Sequence, residues 1–158
     1  MTRASQTDAA TDAFVDFVTE VELGLRRALV ARYGPLRGRE ALADRLAYAW
    51  ENWARVGAMD NAAGYVYRVA VSRPPRPRPA AFLSGGQPPT IPEIEPRLRW
   101  ALGQLSERQR VAVLLVHGWG YSLSEAAELL GVSMSTLRNH LERGLRRLRT
   151  LLGVSNHV

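Results

Sequence analysis

The spacing of apolar positions divides the chain into helices and breaks, with no alternating strand pattern bounded by turn residues. Phe14, Val18, Val21, Leu25 and Leu29 recur at three- and four-residue intervals, which predicts one apolar stripe on a helix over residues 12–33. Gly34-Pro35 stops it. Leu42, Leu46, Trp50 and Trp53 form a second stripe over residues 39–56, with Glu40, Asp44, Arg45 and Glu51 on the other face. A third helix starts after Asp60, read as its N-cap, and carries Tyr65, Val66 and Val69 until Pro74 ends it. Three such helices suffice for a small bundle.

The C-terminal part is more sharply punctuated. Ser106-Glu107-Arg108-Gln109 has the spacing of a capping box, and Ser122 with Glu125 repeats it, so both mark helix starts. His117-Gly118-Trp119-Gly120 between them predicts a turn. Ala127 lies four residues before Gly131, and a further helix opening near Ser133 puts Leu137, Leu141, Leu145 and Leu148 on one stripe. A small residue at a close crossing, a glycine able to turn left-handed and a second amphipathic helix make a helix-turn-helix pattern.

Between these parts, residues 73–92 hold seven of the nine prolines. Proline has no amide hydrogen and clashes with a preceding helical turn, so this stretch predicts an extended connector between units that move independently. The expected architecture is therefore all-α, with two small helical domains, 1–73 and 93–158, joined by a Pro-rich linker over 74–92.

Charge sharpens the picture. The net charge of +6 is carried by arginine alone, because the chain has no lysine. Residues 1–33 hold four arginines against five acids, whereas 134–149 hold five arginines against Glu142 alone. With the leucines inward, Ser135, Arg138, Asn139, Glu142 and Arg146 fall on the outer side of the last helix, flanked by Arg143. Arg and Asn can pair bidentately with guanine and adenine edges in the major groove, while Ser133, Thr136 and Arg147 suit phosphates. His140 is read as a helix-face residue near DNA. The bland reading is a solvated basic face; its coincidence with the helix-turn-helix pattern favours double-stranded DNA as partner.

Other chemistries are poorly served. His117, His140 and His157 are scattered, no glycine loop follows a strand, and no carboxylate pair has metal-site spacing, so neither catalysis, cofactor nor metal is expected. Trp50, Trp53, Trp100 and Trp119 read as core or interface anchors. Cysteine is absent, no apolar run nears the roughly 20 residues of a membrane span, and MTRASQTDAATDAF lacks a basic start followed by an apolar core. A cytoplasmic location without membrane insertion follows as the expectation.

Against this background, the stretch from Ala101-Leu102 through Leu105, Glu107-Arg108-Gln109-Arg110, Glu125, Ala127, Leu130-Gly131-Val132-Ser133 and Thr136 to Arg143-Gly144-Leu145 resembles the fourth conserved region of bacterial extracytoplasmic-function sigma factors. In that family the domain reads the minus-thirty-five promoter element. REALADRLAYAWENW followed by DNAAGYVYRVAVSR resembles the family's second region. The resemblance implies that Glu40, Asp44, Leu46 and Trp50 dock on the clamp helices of core RNA polymerase, and that Asn61, Tyr65, Arg68, Ser72 and Arg73 meet the minus-ten element. It also implies an anti-sigma factor as a possible partner class.

The chain departs from the family at three places. Ala43 stands where glutamine is usual, Ser72 where asparagine is usual, and Pro74-Pro75 cut off a helix that normally continues. Contacts of that missing turn would have to come from Arg73, Arg76 and Arg78. Three readings stay open: a sigma factor that directs initiation, a degenerate sigma-like regulator that binds polymerase or DNA without melting promoters, and a stand-alone helix-turn-helix regulator of the kind seen in LuxR-type response-regulator domains.

Overall fold

The computed structural model describes residues 2–73 and 95–154, and every regular element among them is helical. The connector expected over 74–92 lies outside the described residues. The order is α1 (Thr2–Tyr33), α2 (Pro35–Glu51), α3 (Trp53–Val56), α4 (Ala62–Ser72), α5 (Pro96–Gly103), α6 (Glu107–Val113), a π-helical turn (Leu114–Gly118), α7 (Leu123–Leu130) and α8 (Met134–Leu152).

The boundaries follow local chemistry that apolar spacing alone does not report. α1 begins ten residues before its expected start, at Thr2 rather than 12. Its first turns hold no Pro or Gly, and the Thr7 and Thr11 hydroxyls donate to the carbonyls of Arg3 and Thr7 at 3.0 and 2.8 Å. α2 starts at Pro35 and not at 39, because proline in the first turn brings its φ ready-made and lacks only an amide that would be unpaired there. The second predicted helix is broken at Asn52, whose side-chain amide donates to the Tyr48 carbonyl at 2.9 Å. Asn61 rather than Asp60 caps α4, its Oδ1 accepting from the Gly64 amide at 2.9 Å. The N-terminal part is thus four helices, not three.

α1 and α2 form an antiparallel hairpin so close that a Cβ on Gly38 would lie 2.6 Å from the Val30 nitrogen and 2.7 Å from the Leu29 carbonyl. At its far end Phe14 meets Trp50 and Trp53 with ring centroids 5.1 and 5.2 Å apart. Leu25, Leu29, Val56 and Val66 are fully buried on the N-terminal side, Val111, Leu115 and Leu137 on the other.

These two sets belong to one continuous core. α1 packs on α6, and α4 packs on α7. The two parts, expected as separately moving units, pack against one another in this conformation: Leu129 of α7 seats its methyls against Gly24 of α1, where a Cβ would be 3.2 Å from either. Leucine spacing cannot reveal this from the sequence, since the same stripe serves an internal core or a neighbouring unit.

Candidate nucleic-acid interface

The C-terminal helices are built by their caps. Ser106 Oγ accepts from the Gln109 amide at 3.2 Å while Gln109 Oε1 accepts from the Ser106 amide at 3.3 Å, and Ser122 with Glu125 makes the same reciprocal pair at 3.1 and 2.9 Å. The turn after α7 is left-handed at Gly131, φ 64°, and the Val132 amide reaches back to the Ala127 carbonyl at 3.0 Å. Ser133 then caps α8 by accepting from the Thr136 amide at 3.1 Å. Two helices set across one another by a tight turn result, with Ala126, Ala127, Leu129 and Leu130 inside.

α8 presents its charged side outward. Leu137, Leu141, Gly144 and Leu148 are buried, whereas Leu145, expected on the same stripe, is only half-buried. The register explains it: Gly144 is the crossing point, where a Cβ would lie 2.9 Å from Val113 Cγ2 and 3.3 Å from the Gln109 carbonyl. Ser133, Ser135, Thr136, Arg138, Asn139, Arg143, Arg146 and Arg147 are all exposed. His140 is half-buried, at the edge of α8 that meets the charge of Arg108 on α6.

At that edge burial, then the charges of Arg108 and Arg143, hold the His140 imidazole below its ordinary value of 6.5. The unfolded chain takes this proton first, so the contribution of neutral His140 to stability is present above the ordinary value and is lost as pH falls through the depressed folded value. A ring-proton titration by NMR should give a His140 midpoint below 6.5; a midpoint at or above it would contradict the packing described. Arg108 also adds a cation to the flank of α8, one that residue spacing within α8 could not have placed there.

Residues 97–148 match the family described as sigma-70, region 4. Over 56 residues the chain is 41% identical to the ECF RNA polymerase sigma factor SigM of Mycobacterium tuberculosis, in both the Erdman and H37Rv strains. That match covers 35% of this chain and spans 29% of the length of the curated relatives. In fold, the chain is similar to the sigma factor RpoE crystallised with the anti-sigma factor NepR from Bartonella quintana, with a TM-score of 0.57 and 19% identity over 90% of this chain and 98% of that one.

The sigma-family positions in the N-terminal part divide unevenly. On α2, Asp44 is exposed and Trp50 is 43% exposed on the Phe14 ring, Glu40 is half-buried, and Leu46 turns toward the core. On α4, Ser72 and Arg73 are exposed, and the Ser72 hydroxyl donates to the Val69 carbonyl at 2.9 Å. Tyr65 is half-buried and accepts from Arg55 at 3.1 Å, while Arg55 also donates to the Tyr48 hydroxyl at 2.8 Å. Hydrogen bonds from Tyr48 and then Arg55 hold the Tyr65 phenol below its ordinary value.

Asn61 and Arg68 face the helix-turn-helix itself. The Asn61 amide donates to the Glu128 carbonyl at 2.7 Å, and a Cβ on Gly131 would lie 3.2 Å from Arg68 Cδ. Residues that the sequence does not announce as interface groups reinforce this join. Arg110 donates to the carbonyls of Ala31 and Arg32 at 2.7 and 2.9 Å, and burial lowers its guanidinium below the ordinary value. Arg32 pairs with Glu107 at 3.2 Å. Arg27 donates to the Tyr121 hydroxyl at 3.3 Å and lies 5.6 Å over the Trp119 ring.

Proposed function

We propose that this chain is a sigma factor that brings core RNA polymerase to promoters, with α8 reading the upstream element and α4 the minus-ten element. One observation carries the reading: the segment matching sigma-70 region 4 is the one whose last helix, α8, holds Arg138, Asn139, Arg143, Arg146 and Arg147 exposed on a single basic side. Such a face joins bidentate base readout to phosphate neutralisation. Its work is recognition without a catalytic step of its own, carried out in the cytoplasm where polymerase and DNA meet. The solved relative is bound to an anti-sigma factor, and a partner of that class fits this chain as well.

Co-purification with core polymerase, followed by run-off transcription on promoters mapped across the organism's own genome, tests the proposal. Co-purification without run-off product would point to a degenerate regulator, and DNA binding without polymerase to a stand-alone one. The docking face has its own test. Asp44 is exposed on α2 and suits a basic groove, so Asp44→Arg should weaken core binding by roughly tenfold while leaving the melting curve unchanged. Unchanged affinity for purified core enzyme would count against α2 as the docking element.

A further inference from the structure

Glu142 is the one acid in the basic run from Met134 to Arg149, and it lies on the side that the arginines occupy. It is exposed, as are Arg138 and Asn139 in the turn before it and Arg146 in the turn after it. A carboxylate and a guanidinium four residues apart are neighbours on a helix, and on α1 that interval yields a pair, Glu22 with Arg26 at 3.0 Å. Glu142 forms none. Among the described residues its carboxylate has neither an ion pair nor a hydrogen bond, although Arg138 and Arg146 stand at that interval on both sides. Its acceptor oxygens are left for a donor outside the chain.

What that donor is rests on the function proposed above, in which α8 lies in the major groove of an upstream promoter element. A carboxylate laid against a duplex is repelled by its phosphates, so on a face that only neutralised charge Glu142 would weaken binding. It strengthens binding only where a base offers a hydrogen. In the major groove those hydrogens belong to the amino groups of cytosine and adenine; adenine is matched by the paired donor and acceptor of an amide such as Asn139, cytosine by a carboxylate. The position also fits. Four residues of helix rise about 6 Å, so Glu142 stands one turn along the same face from Arg138, within roughly two base pairs of whatever Arg138 meets. We propose that Glu142 is a specificity-determining residue whose carboxylate accepts from the N4 amino group of a cytosine beside the guanine engaged by Arg138, and that penalises every duplex lacking that cytosine.

Selection from a pool of randomised duplexes by the full chain tests this. The wild type should enrich one cytosine position whose preference falls by about tenfold in both Glu142→Gln and Glu142→Ala. Glu142→Gln, now bearing an amide, should turn that position toward adenine, whereas Glu142→Ala should leave it without preference. Both should bind a scrambled duplex several-fold more tightly, because the repulsion of phosphates is gone. Glu142 is exposed, so both variants should melt as the wild type does. Arg138→Ala is the control and should relax a neighbouring position instead. If Arg138→Ala changes the enriched sequence while both Glu142 variants keep the cytosine, Glu142 is only a solvated acid, and α8 remains a reader without it. A wild type that enriches no sequence would overturn α8 as a reader, and with it both the proposed function and the role of Glu142.

Discussion

Replacing Gly38 by alanine should lower the melting midpoint by about 6–12 °C, the shift expected for a loss of about 3 kcal/mol in a chain of this size. The added methyl has nowhere to go. Its nearest neighbours would be backbone atoms, the Val30 nitrogen at 2.6 Å and the Leu29 carbon and oxygen at 2.7 Å, and these belong to a helix whose Leu25, Ala28 and Leu29 are fully buried. Side chains can rotate away from an intruder, but a packed helix backbone must translate as a whole. The α1–α2 hairpin would open, and with it the seat of Trp50 against Phe14. Gly103→Ala is the control, since a Cβ there meets nothing within 4 Å and the helix favours alanine. Equal melting of the two variants by circular dichroism would show that the hairpin is looser than described.

Substitutions on α8 should separate into two kinds. Arg138 and Asn139 lie near the start of α8, the end proposed to enter the groove; Arg146 and Arg147 lie two turns later. Arg138→Ala should cost about 1–3 kcal/mol on the preferred duplex and little on a scrambled one, relaxing preference at one or two base pairs. The Arg146→Ala, Arg147→Ala double variant should weaken both duplexes alike and reduce the salt dependence by about one unit of slope for each phosphate left without its guanidinium. The full chain is the right reagent, because Leu129 of α7 packs on Gly24 of α1. Equal weakening on both duplexes in Arg138→Ala would make α8 a phosphate clamp.

Much of the C-terminal part is legible in the sequence because its signals are short-range. The capping boxes at Ser106 and Ser122, the left-handed Gly131 and the Ser133 cap are each decided by residues within four positions, and all form as the spacing predicts. The exposed arginines follow from helical geometry once Leu137, Leu141 and Leu148 are inside. What depends on distant contacts is not legible. Nothing near Asn61 announces that its amide will find the Glu128 carbonyl, 67 residues on, and nothing in the run after Leu105 announces that Arg110 will cap a helix begun at Thr2. The extra turn at Leu114–Gly118 is likewise a product of packing: the Trp119 amide reaches the Leu114 carbonyl at 2.9 Å, a longer-range closure than apolar periodicity encodes.

Arg110 gives the join an asymmetry under mutation. Its acceptors on α1 are main-chain oxygens of Ala31 and Arg32, which every amino acid would present equally, so no side-chain exchange at those two positions removes them. They also carry no proton to lose or gain, and acidification leaves them unchanged as acceptors. The Arg32–Glu107 pair is the opposite, a contact that substitution of either partner abolishes. Drift along the end of α1 would thus erode the ion pair first and leave the guanidinium in place. The two main-chain contacts at the end of α1 rest on Arg110 alone, and a change there, Arg110→Met for example, would strand two carbonyls that no substitution in α1 could repair.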